Sequence, residues 1–403
     1  MTTFSSPSAL PALDAGGRST ARSRVRALWA LWVALAALGA IGVVQRITQG
    51  HLPAGYGSYV PWGLWIAIYF HGVGIAGGAF VVGGIGYLLD WPGFNRPQVL
   101  RTVIVLSLAA IAPAFLGVWF DLGHMERAHR IFTSPSFTSM MAFNAWMYSA
   151  YAIVAVVAWV LSFKGTSSWL KPLLCLGIML SVMFPSQSGA FFGVVDAKPH
   201  WHSSLLPVLF LASAVTAGSA MLLFVVALLS GLGRRDDWID AAEAAAAIRR
   251  LRVIVLTALL IYVVLEFAEF SLSLWNPSAH APAIELVLWG PYWWVFWLVH
   301  LAAGVVLPLV LLASRRPGAW TAAAVLLAVT LVSTRLNILV PGQAVGEIHG
   351  LQDAFNHERL NYVYHATAME YLVGFFLVAV GMALFFIGRR VGAVVATRSA
   401  TNA

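Results

Sequence analysis

Lysine and arginine fall almost entirely on one side of a series of long apolar segments in this chain. Ten segments are long enough for the roughly 20 apolar residues that a membrane-spanning helix needs. They cover residues 25–45, 61–89, 98–120, 139–163, 170–186, 203–230, 252–275, 291–314, 319–340 and 367–388. Of 24 Lys and Arg residues, the odd-numbered loops and their helix ends hold Arg46, Arg127, Arg130, Lys198, Arg335 and Arg359. All the others lie at the termini or beside the even-numbered loops.

This charge asymmetry predicts the direction of every segment. Loops rich in Lys and Arg remain on the cytoplasmic side of a membrane. We therefore expect both termini in the cytoplasm and the odd-numbered loops outside. Each polar residue within a segment then has a predicted depth and a predicted side.

The composition excludes a soluble protein, because 60% of the residues are hydrophobic and 10% are charged. The predicted fold class is an all-α polytopic membrane protein of about ten transmembrane helices, arranged as two four-helix bundles plus flanking helices. We expect a disordered cytoplasmic tail at 1–24, a transmembrane domain at 25–388 and a cytoplasmic tail at 389–403. The net charge of +8 reflects topology, so no nucleic-acid partner is expected.

Two segments share a spacing of small residues. The second runs from Trp62 to the pair Gly77-Gly78, and the sixth runs from His202 to Ala217-Gly218 over the same distance. Such small residues allow close contact between helices in a membrane. The pattern fits a duplicated four-helix bundle, and it fits chance similarity between apolar helices equally well.

Two carboxylates lie in the outer half of the seventh segment. Charged groups inside a membrane are costly, so each is a functional hypothesis. Glu266 and Glu269 are three residues apart and so share a helix face. They fit a proton relay or a proton acceptor for a quinol. The alternative is a structural role, as partners of Arg335 or of Tyr and Trp donors on neighbouring helices.

Three further ionisable groups lie at a similar outer depth. Arg335 is near the outer end of the ninth segment, where it could neutralise Glu266, Glu269 or Glu370. Glu370 begins the tenth segment, and Asp121 ends the third. The predicted chemistry is therefore concentrated towards the outer side.

Two histidines lie near the predicted membrane midplane. His71 and His300 are each about ten residues inside segments that enter from outside, which is roughly 15 Å at 1.5 Å per residue. Histidines at matched depth can bind a haem iron from both sides. A proton path and a hydrogen-bonded core position are the other interpretations. Cys175 is the single cysteine, and a cluster needs about four, so we expect no iron–sulfur cluster in this chain.

The second segment also carries aromatic residues at helical spacing. Trp62, Trp65 and Tyr69 follow the three-to-four-residue period of one face. Tyr69 lies about 12 Å inside, where its hydroxyl group needs a partner. Flat rings with a tyrosine hydroxyl group make a slot suited to a quinone ring.

Four motifs give the chain a resemblance to the NrfD family, the membrane subunits of polysulfide-reductase-like complexes. They are WGLWIAIYFHGVGIAGG (62–78), DLGHMERAHRIFTSPSFTS (121–139), WHSSLLPVLFLASAVTAG (201–218) and an Arg-x-Asn followed by a late Glu, at Arg335, Asn337 and Glu370. The resemblance covers nearly all of 28–388. Ten segments rather than eight make the chain similar to the longer, hydrogenase-associated members.

The resemblance implies a subunit of the bacterial inner membrane without a metal of its own, and so without haem. Such a subunit binds a quinone, menaquinone or ubiquinone, near the outer face. A periplasmic ferredoxin-like iron–sulfur subunit docks there and exchanges electrons with a periplasmic catalytic subunit, often a molybdopterin enzyme. Membrane lipid surrounds the subunit, which also anchors the complex.

The implied quinone contacts are Trp65 and Tyr69, with Trp62 beside them and His202 matching a polar residue that opens the sixth helix. We assign proton handling to Glu266, Glu269, Asp121 and Arg335. In the family pattern Asp-Leu-Gly-Arg-x-x-Arg, Asp121 and Arg127 match, whereas His124 replaces the first arginine. The alternatives are a b-type cytochrome that uses His71 and His300, and a secondary transporter that uses Glu266, Glu269 and Arg335.

The topology can be tested with reporter fusions. A fusion after residue 403 and one within residues 341–366 should report opposite sides of the membrane, because positive loops are retained in the cytoplasm. Alkaline phosphatase and green fluorescent protein activities give the two readouts. The same side for both would remove the basis for the predicted depths.

Overall fold

The structure is a computed structural model that describes residues 15–164, 167–231, 241–275, 281–348, 350–351, 354–355, 357 and 360–401. Ten helices in this part of the chain are long and apolar enough to span a membrane. They are α1 (Ala15–Gln49), α2 (Leu64–Leu88), α3 (Pro97–Asp121), α4 (Met140–Leu161), α5 (Leu170–Gly193), α6 (Leu206–Gly231), α7 (Ala241–Trp275), α8 (Val295–Ala313), α9 (Pro317–Ala344) and α10 (Ala368–Thr401). The predicted all-α class with ten spans is confirmed.

Both end helices extend beyond the predicted spans. Helix α1 begins at Ala15, so residues 15–24 are helical rather than part of a disordered tail. Helix α10 continues to Thr401, well past the predicted end at residue 388. Both stretches contain Ala and Arg, and they continue each helix beyond its apolar part. Residues 1–14 and 402–403 of the predicted tails lie outside the described residues.

The helices pack in the grouping that the sequence predicts. Helices α2 to α5 contact one another as a first bundle, and α6 to α9 form a second bundle. Helices α1 and α10 pack against each other, and α10 also packs along α3. The two flanking helices therefore lie beside the first bundle. Most of α1 faces outward, with Leu38, Ile41 and Val44 exposed.

The two bundles meet where α2 crosses α6, at the glycines of the shared spacing. A Cβ atom on Gly78 would lie 1.9 Å from the carbonyl oxygen of Ala214. A Cβ atom on Gly218 would lie 2.2 Å from the backbone nitrogen of Ala79. The two segments with matching small residues thus pack directly on each other, and only glycine permits so close a backbone approach.

Two helices of the second bundle are irregular. Residues Val295–Val306 of α8 form a π-helix, and α9 is interrupted at Leu331 between Pro317–Thr330 and Val332–Ala344. Wider π-turns occur frequently at functional sites, because they redirect side chains from the regular helical positions. His300 lies within this π-helix, and Arg335 follows the interruption of α9. The irregular backbone therefore carries two of the candidate residues.

The close crossing of α2 and α6 predicts that one added methyl group has a large effect on stability. Gly78→Ala or Gly218→Ala should lower the free energy of unfolding by about 3 kcal/mol or more, because overpacking here meets backbone atoms. Gly318→Ala is the matched control, since a Cβ atom there meets no described atom within 4 Å. Thermal unfolding of the purified chain in detergent measures the difference. Equal midpoints for Gly218→Ala and Gly318→Ala would contradict the close crossing.

Candidate functional site

A chain of hydrogen bonds runs through the second bundle. The Tyr262 hydroxyl group donates to Glu266 Oε1 at 2.5 Å, and Glu266 Oε2 lies 2.8 Å from His300 Nε2. His300 Nδ1 in turn lies 3.1 Å from the hydroxyl group of Ser333. The His300 side chain is fully buried, and that of Glu266 is 12% exposed. A carboxyl group, an imidazole and two hydroxyl groups in sequence can hold or pass a proton.

Glu269 belongs to a more outward part of the same bundle. Its Oε2 atom accepts a hydrogen bond of 2.8 Å from Ser203, which precedes α6 on the outer side. The two carboxylates therefore have different hydrogen-bond partners. Glu266 and Glu269 are close to each other along α7, as predicted. The basic neighbour of Glu266, however, is His300 rather than Arg335.

Arg335 is buried at the junction of the two bundles. Its Nη2 atom donates to the Ser213 hydroxyl group at 2.7 Å, and its guanidinium carbon lies 3.9 Å from the centre of the Phe210 ring. Within the described part of the chain, Nε and Nη1 have no hydrogen-bond partner. The expected ion pairs with Glu266, Glu269 or Glu370 are not formed between these described residues. Gly74 leaves space beside the Nη2 atom of Arg335. A Cβ atom added to Gly74 would lie 3.5 Å from Nη2.

The two histidines that are predicted to lie near the midplane, His71 and His300, have different hydrogen-bond partners. His71 Nε2 contacts the carbonyl oxygen of Ala328 at 2.7 Å. His300 uses both ring nitrogens, for Glu266 and for Ser333, so it has no lone pair directed at a haem iron. This arrangement gives both histidines hydrogen-bonded positions and does not present them as a pair of axial ligands.

A second polar group lies in the outer half of the first bundle, around Tyr69. The Tyr69 and Tyr148 rings are perpendicular, with centroids 6.1 Å apart, and the Tyr148 hydroxyl group lies 2.7 Å from that of Ser188. Asn144 is one turn further out on α4 and is buried. Among the described residues, its Oδ1 atom has no hydrogen-bond partner. This group of Tyr69, Asn144, Tyr148 and Ser188 is called the tyrosine slot below.

Sequence reasoning finds Tyr69 but misses its neighbours. Asn144 and Tyr148 are four residues apart on α4, so they share a face of an otherwise apolar helix. That spacing is the available signal. It is weak because both residue types also occur at membrane interfaces, and nothing in the sequence shows which way the face points.

A third polar group joins the outer ends of α1, α2, α3 and α10. Arg46 donates to the carbonyl oxygens of Phe120 at 2.7 Å and Leu122 at 2.8 Å, at the end of α3. The buried atoms Asp121 Oδ1 and Tyr56 Oη lie nearby without hydrogen-bond partners in the described structure. Burial raises the pKa of the Tyr56 phenol above its ordinary value, and the charges of Asp121 and Glu370 add to this. Tyr56 is therefore a neutral donor.

Glu370 holds this outer group together. It is the third residue after Thr367 and accepts from the Thr367 backbone at 3.2 Å, the arrangement of a capping box. Its carboxylate also accepts from Gly55 at 2.8 Å and from the Tyr364 hydroxyl group. The indole of Trp65, which is fully buried, donates to the Glu370 backbone oxygen at 3.0 Å. Glu370 thus connects the loop before α2 to α10.

The remaining two predicted contacts lie elsewhere. The Trp62 ring stacks on Trp201 with centroids 6.2 Å apart, and its backbone bonds to Gln343 on α9. The His202 side chain is 54% exposed and lies 3.5 Å from Asp196. It therefore does not face the tyrosine slot, because the turn before α6 buries His200 instead. The predicted residues fall into separate groups rather than one slot.

The fold and these buried groups define a multi-pass integral membrane protein. Its buried polar groups concentrate towards the end of the two bundles opposite both termini, which is the end predicted to face outward. A family model described as polysulphide reductase, NrfD, matches residues 54–347. The chain belongs to the NrfD family. The matched region contains both bundles, whereas α1 and α10 lie outside it.

Three relatives show the breadth of the similarity. The chain is 25% identical to a selenate reductase subunit of Mesobacillus selenatarsenatis over 85% of this chain and 88% of the relative. It is 24% identical to the Hdr-like menaquinol oxidoreductase integral membrane subunit of Archaeoglobus fulgidus, over 86% and 88%. It is also 24% identical to protein NrfD of Escherichia coli, over 62% and 83%.

The capping role of Glu370 is testable through stability. Glu370→Ala should lower the free energy of unfolding by about 2 kcal/mol or more, since it removes the cap and leaves buried donors without an acceptor. Glu370→Gln should lose less, because the amide oxygen can still accept from Gly55 and Thr367. Glu347→Ala is the control, as that side chain is 55% exposed. Denaturant titration compares the three variants. Equal losses of unfolding free energy in Glu370→Gln and Glu370→Ala would contradict the capping role of Glu370.

Proposed function

We propose that this chain is the membrane subunit of an oxidoreductase complex, which exchanges electrons between a membrane quinone or quinol and a periplasmic iron–sulfur subunit. Family membership supports this, as do relatives whose names describe reductase and menaquinol oxidoreductase subunits. The concentration of buried polar groups in the outer half supports an outer site. In this proposal the chain lies in the bacterial inner membrane with both termini in the cytoplasm.

The observation that carries the quinone assignment is the unpartnered Asn144 Oδ1, on the helix turn next to Tyr148, whose ring contacts that of Tyr69. A quinol hydroxyl group can donate to this oxygen, and a quinone carbonyl can accept from a tyrosine hydroxyl group. Phe115, whose ring centroid is 5.5 Å from that of Tyr148, supplies an apolar wall. The residues present therefore fit a quinone headgroup, whether menaquinone or ubiquinone. A bound quinone would supply two-electron, two-proton redox chemistry at this position.

The outer group gives a proton acceptor close to this slot. Trp65 and Tyr69 are four residues apart on α2, so they are separated by one turn, about 6 Å. Asp121 lies in the same outer group as Trp65, and its Oδ1 atom is not used by another described residue. We assign to Asp121 the receipt of a proton on the outer side. Arg46 places a positive charge near Asp121 and fixes the end of α3 through the carbonyl oxygens of Phe120 and Leu122.

The second bundle supplies a separate proton relay. Glu266 is hydrogen-bonded to both Tyr262 and His300, so a proton on the carboxyl group can move to the imidazole without a large movement. Glu269 and Ser203 extend the polar path outward. Arg335 lies between the bundles, where its positive charge acts on the hydroxyl groups of Tyr148 and Tyr262. In this role its two unpartnered nitrogens orient water.

The predicted outer position of the quinone site indicates which subunits bind to this chain. We propose that a ferredoxin-like iron–sulfur subunit docks on the outer face and passes electrons to or from a catalytic subunit, which is a molybdopterin enzyme. The metal centres then belong to these partners. The chain itself provides the binding of the quinone, the proton route, the anchor in the lipid and the docking surface.

Substitutions in the tyrosine slot test the quinone assignment. Tyr69→Phe and Asn144→Leu should each raise KM for quinol about tenfold in the assembled complex, because a lost buried hydrogen bond costs about 1.4 kcal/mol. An artificial dye that reduces the iron–sulfur partner directly should bypass both defects. His202→Ala, at the exposed position, should leave quinol turnover unchanged. An equal fall in dye-driven activity would show that these residues support the fold or the partner.

The proton relay predicts a different kinetic signature. Glu266→Gln keeps the shape and accepts from Tyr262 but cannot exchange a proton, so kcat with quinol should fall at least tenfold with little change in KM. His300→Gln should show the same pattern. Steady-state kinetics of the complex in proteoliposomes measures both variants. If kcat is unchanged in Glu266→Gln, the hydrogen-bonded series from Tyr262 to Ser333 has only a structural role.

A further inference from the structure

We propose that a groove between α3, α4 and α10, at the end of the chain's helices where both termini lie, binds the phosphate headgroup of an anionic phospholipid. The groove is lined by Arg101, Thr102, Trp159, Gly388, Arg389 and Gly392, among others. Its free volume is about 40 Å³, which suits a few headgroup oxygens rather than a ring. Its residues lie at the opposite end of α3, α4 and α10 from the outer polar group.

One buried donor in this groove has no acceptor. The indole nitrogen of Trp159 is inaccessible to solvent, and no described residue accepts a hydrogen bond from it. A buried N–H group of this kind is costly unless a ligand or water satisfies it. Trp159 is one of the lining residues, so this unsatisfied donor belongs to the wall of the groove, beyond the general positive charge of this end of the protein.

The arginine side chains are placed for an anion. Arg101 is fixed by donating to the Ser162 hydroxyl group at 3.1 Å and the Ser162 carbonyl oxygen at 2.7 Å. Its guanidinium carbon also lies 4.0 Å from the centre of the Phe163 ring. Arg389 faces the same groove from α10. The groove's described lining includes these two cations and no carboxylate.

Glycine residues form the floor between the two cations. A Cβ atom on Gly392 would lie 3.6 Å from the Trp159 ring, and one on Gly388 would lie 2.8 Å from Val105. Larger residues at these positions would fill the groove. The predicted topology places it at the cytoplasmic surface, where anionic lipids are attracted to basic pockets between helices. A phospholipid also has acyl chains that can cover the exposed apolar residues Ile387 and Val391.

The test uses the delipidated full-length chain in detergent, titrated with phosphatidylglycerol while the unfolding temperature is followed. Phosphatidylcholine and inorganic phosphate are the comparison ligands. Phosphatidylglycerol should stabilise the protein at concentrations about tenfold lower than either, because two cations and a directed donor recognise the anion. Trp159→Phe removes the N–H group together with part of the indole ring, and Arg389→Ala removes one cation. Both should raise the required concentration about tenfold. Arg390→Ala, an exposed neighbour of the same charge, is the matched control.

Each outcome decides the proposal. Stabilisation by phosphatidylglycerol that is weakened in Trp159→Phe and Arg389→Ala, but retained in Arg390→Ala, supports a lipid headgroup site. Equal stabilisation by inorganic phosphate would assign the groove to a free anion and overturn the lipid assignment. Equal effects of Arg389→Ala and Arg390→Ala would indicate general charge attraction and overturn the site. Unchanged titration in Trp159→Phe would show that the indole donor plays no part and contradict the proposal.

Discussion

The absence of water inside a bilayer is the constraint on which the rest of this structure depends. Every buried polar group must find its partner within the protein, since an unsatisfied group costs several kcal/mol. The fold meets this demand by gathering polar side chains into groups that each involve several helices. The link from Glu266 to His300 joins α7 to α8, and the contact of His300 with Ser333 joins α8 to α9. Hydrogen bonding and helix packing in the second bundle therefore depend on each other.

The close crossing of α2 and α6 determines how near these groups come to one another. Because Gly78 and Gly218 allow backbone contact, residues on the two helices one turn outward also lie close together. Gly74 and Ser213 are in this position, and both border Arg335. A wider crossing would separate the bundles and open this junction to lipid. The small residues thus have a structural consequence, because they create the buried space in which Arg335 lies.

The sequence predicts the spans and the grouping of helices well, since both follow from hydrophobic length and from charge at helix ends. It predicts less of the site, because four-residue spacing does not show which helix a side chain faces. Trp65 and Tyr69 are one turn apart on α2, yet Trp65 packs towards α10 and Tyr69 towards α4. The motif pattern selects His202 as the polar residue that opens a helix, whereas the turn buries His200. The π-helix in α8 has no sequence signal of its own.

The isolation of Arg335 from any described carboxylate has a consequence for coupling between the bundles. A buried cation that is not neutralised locally acts over a longer distance, because the low dielectric of the interior screens it weakly. Its electrostatic influence extends to Tyr148 in the first bundle and Tyr262 in the second. A change of charge in either bundle therefore alters the energy of the same guanidinium group. If the quinone binds in the tyrosine slot, Arg335 connects its charge state with Tyr262 in the second bundle without a continuous hydrogen-bonded path.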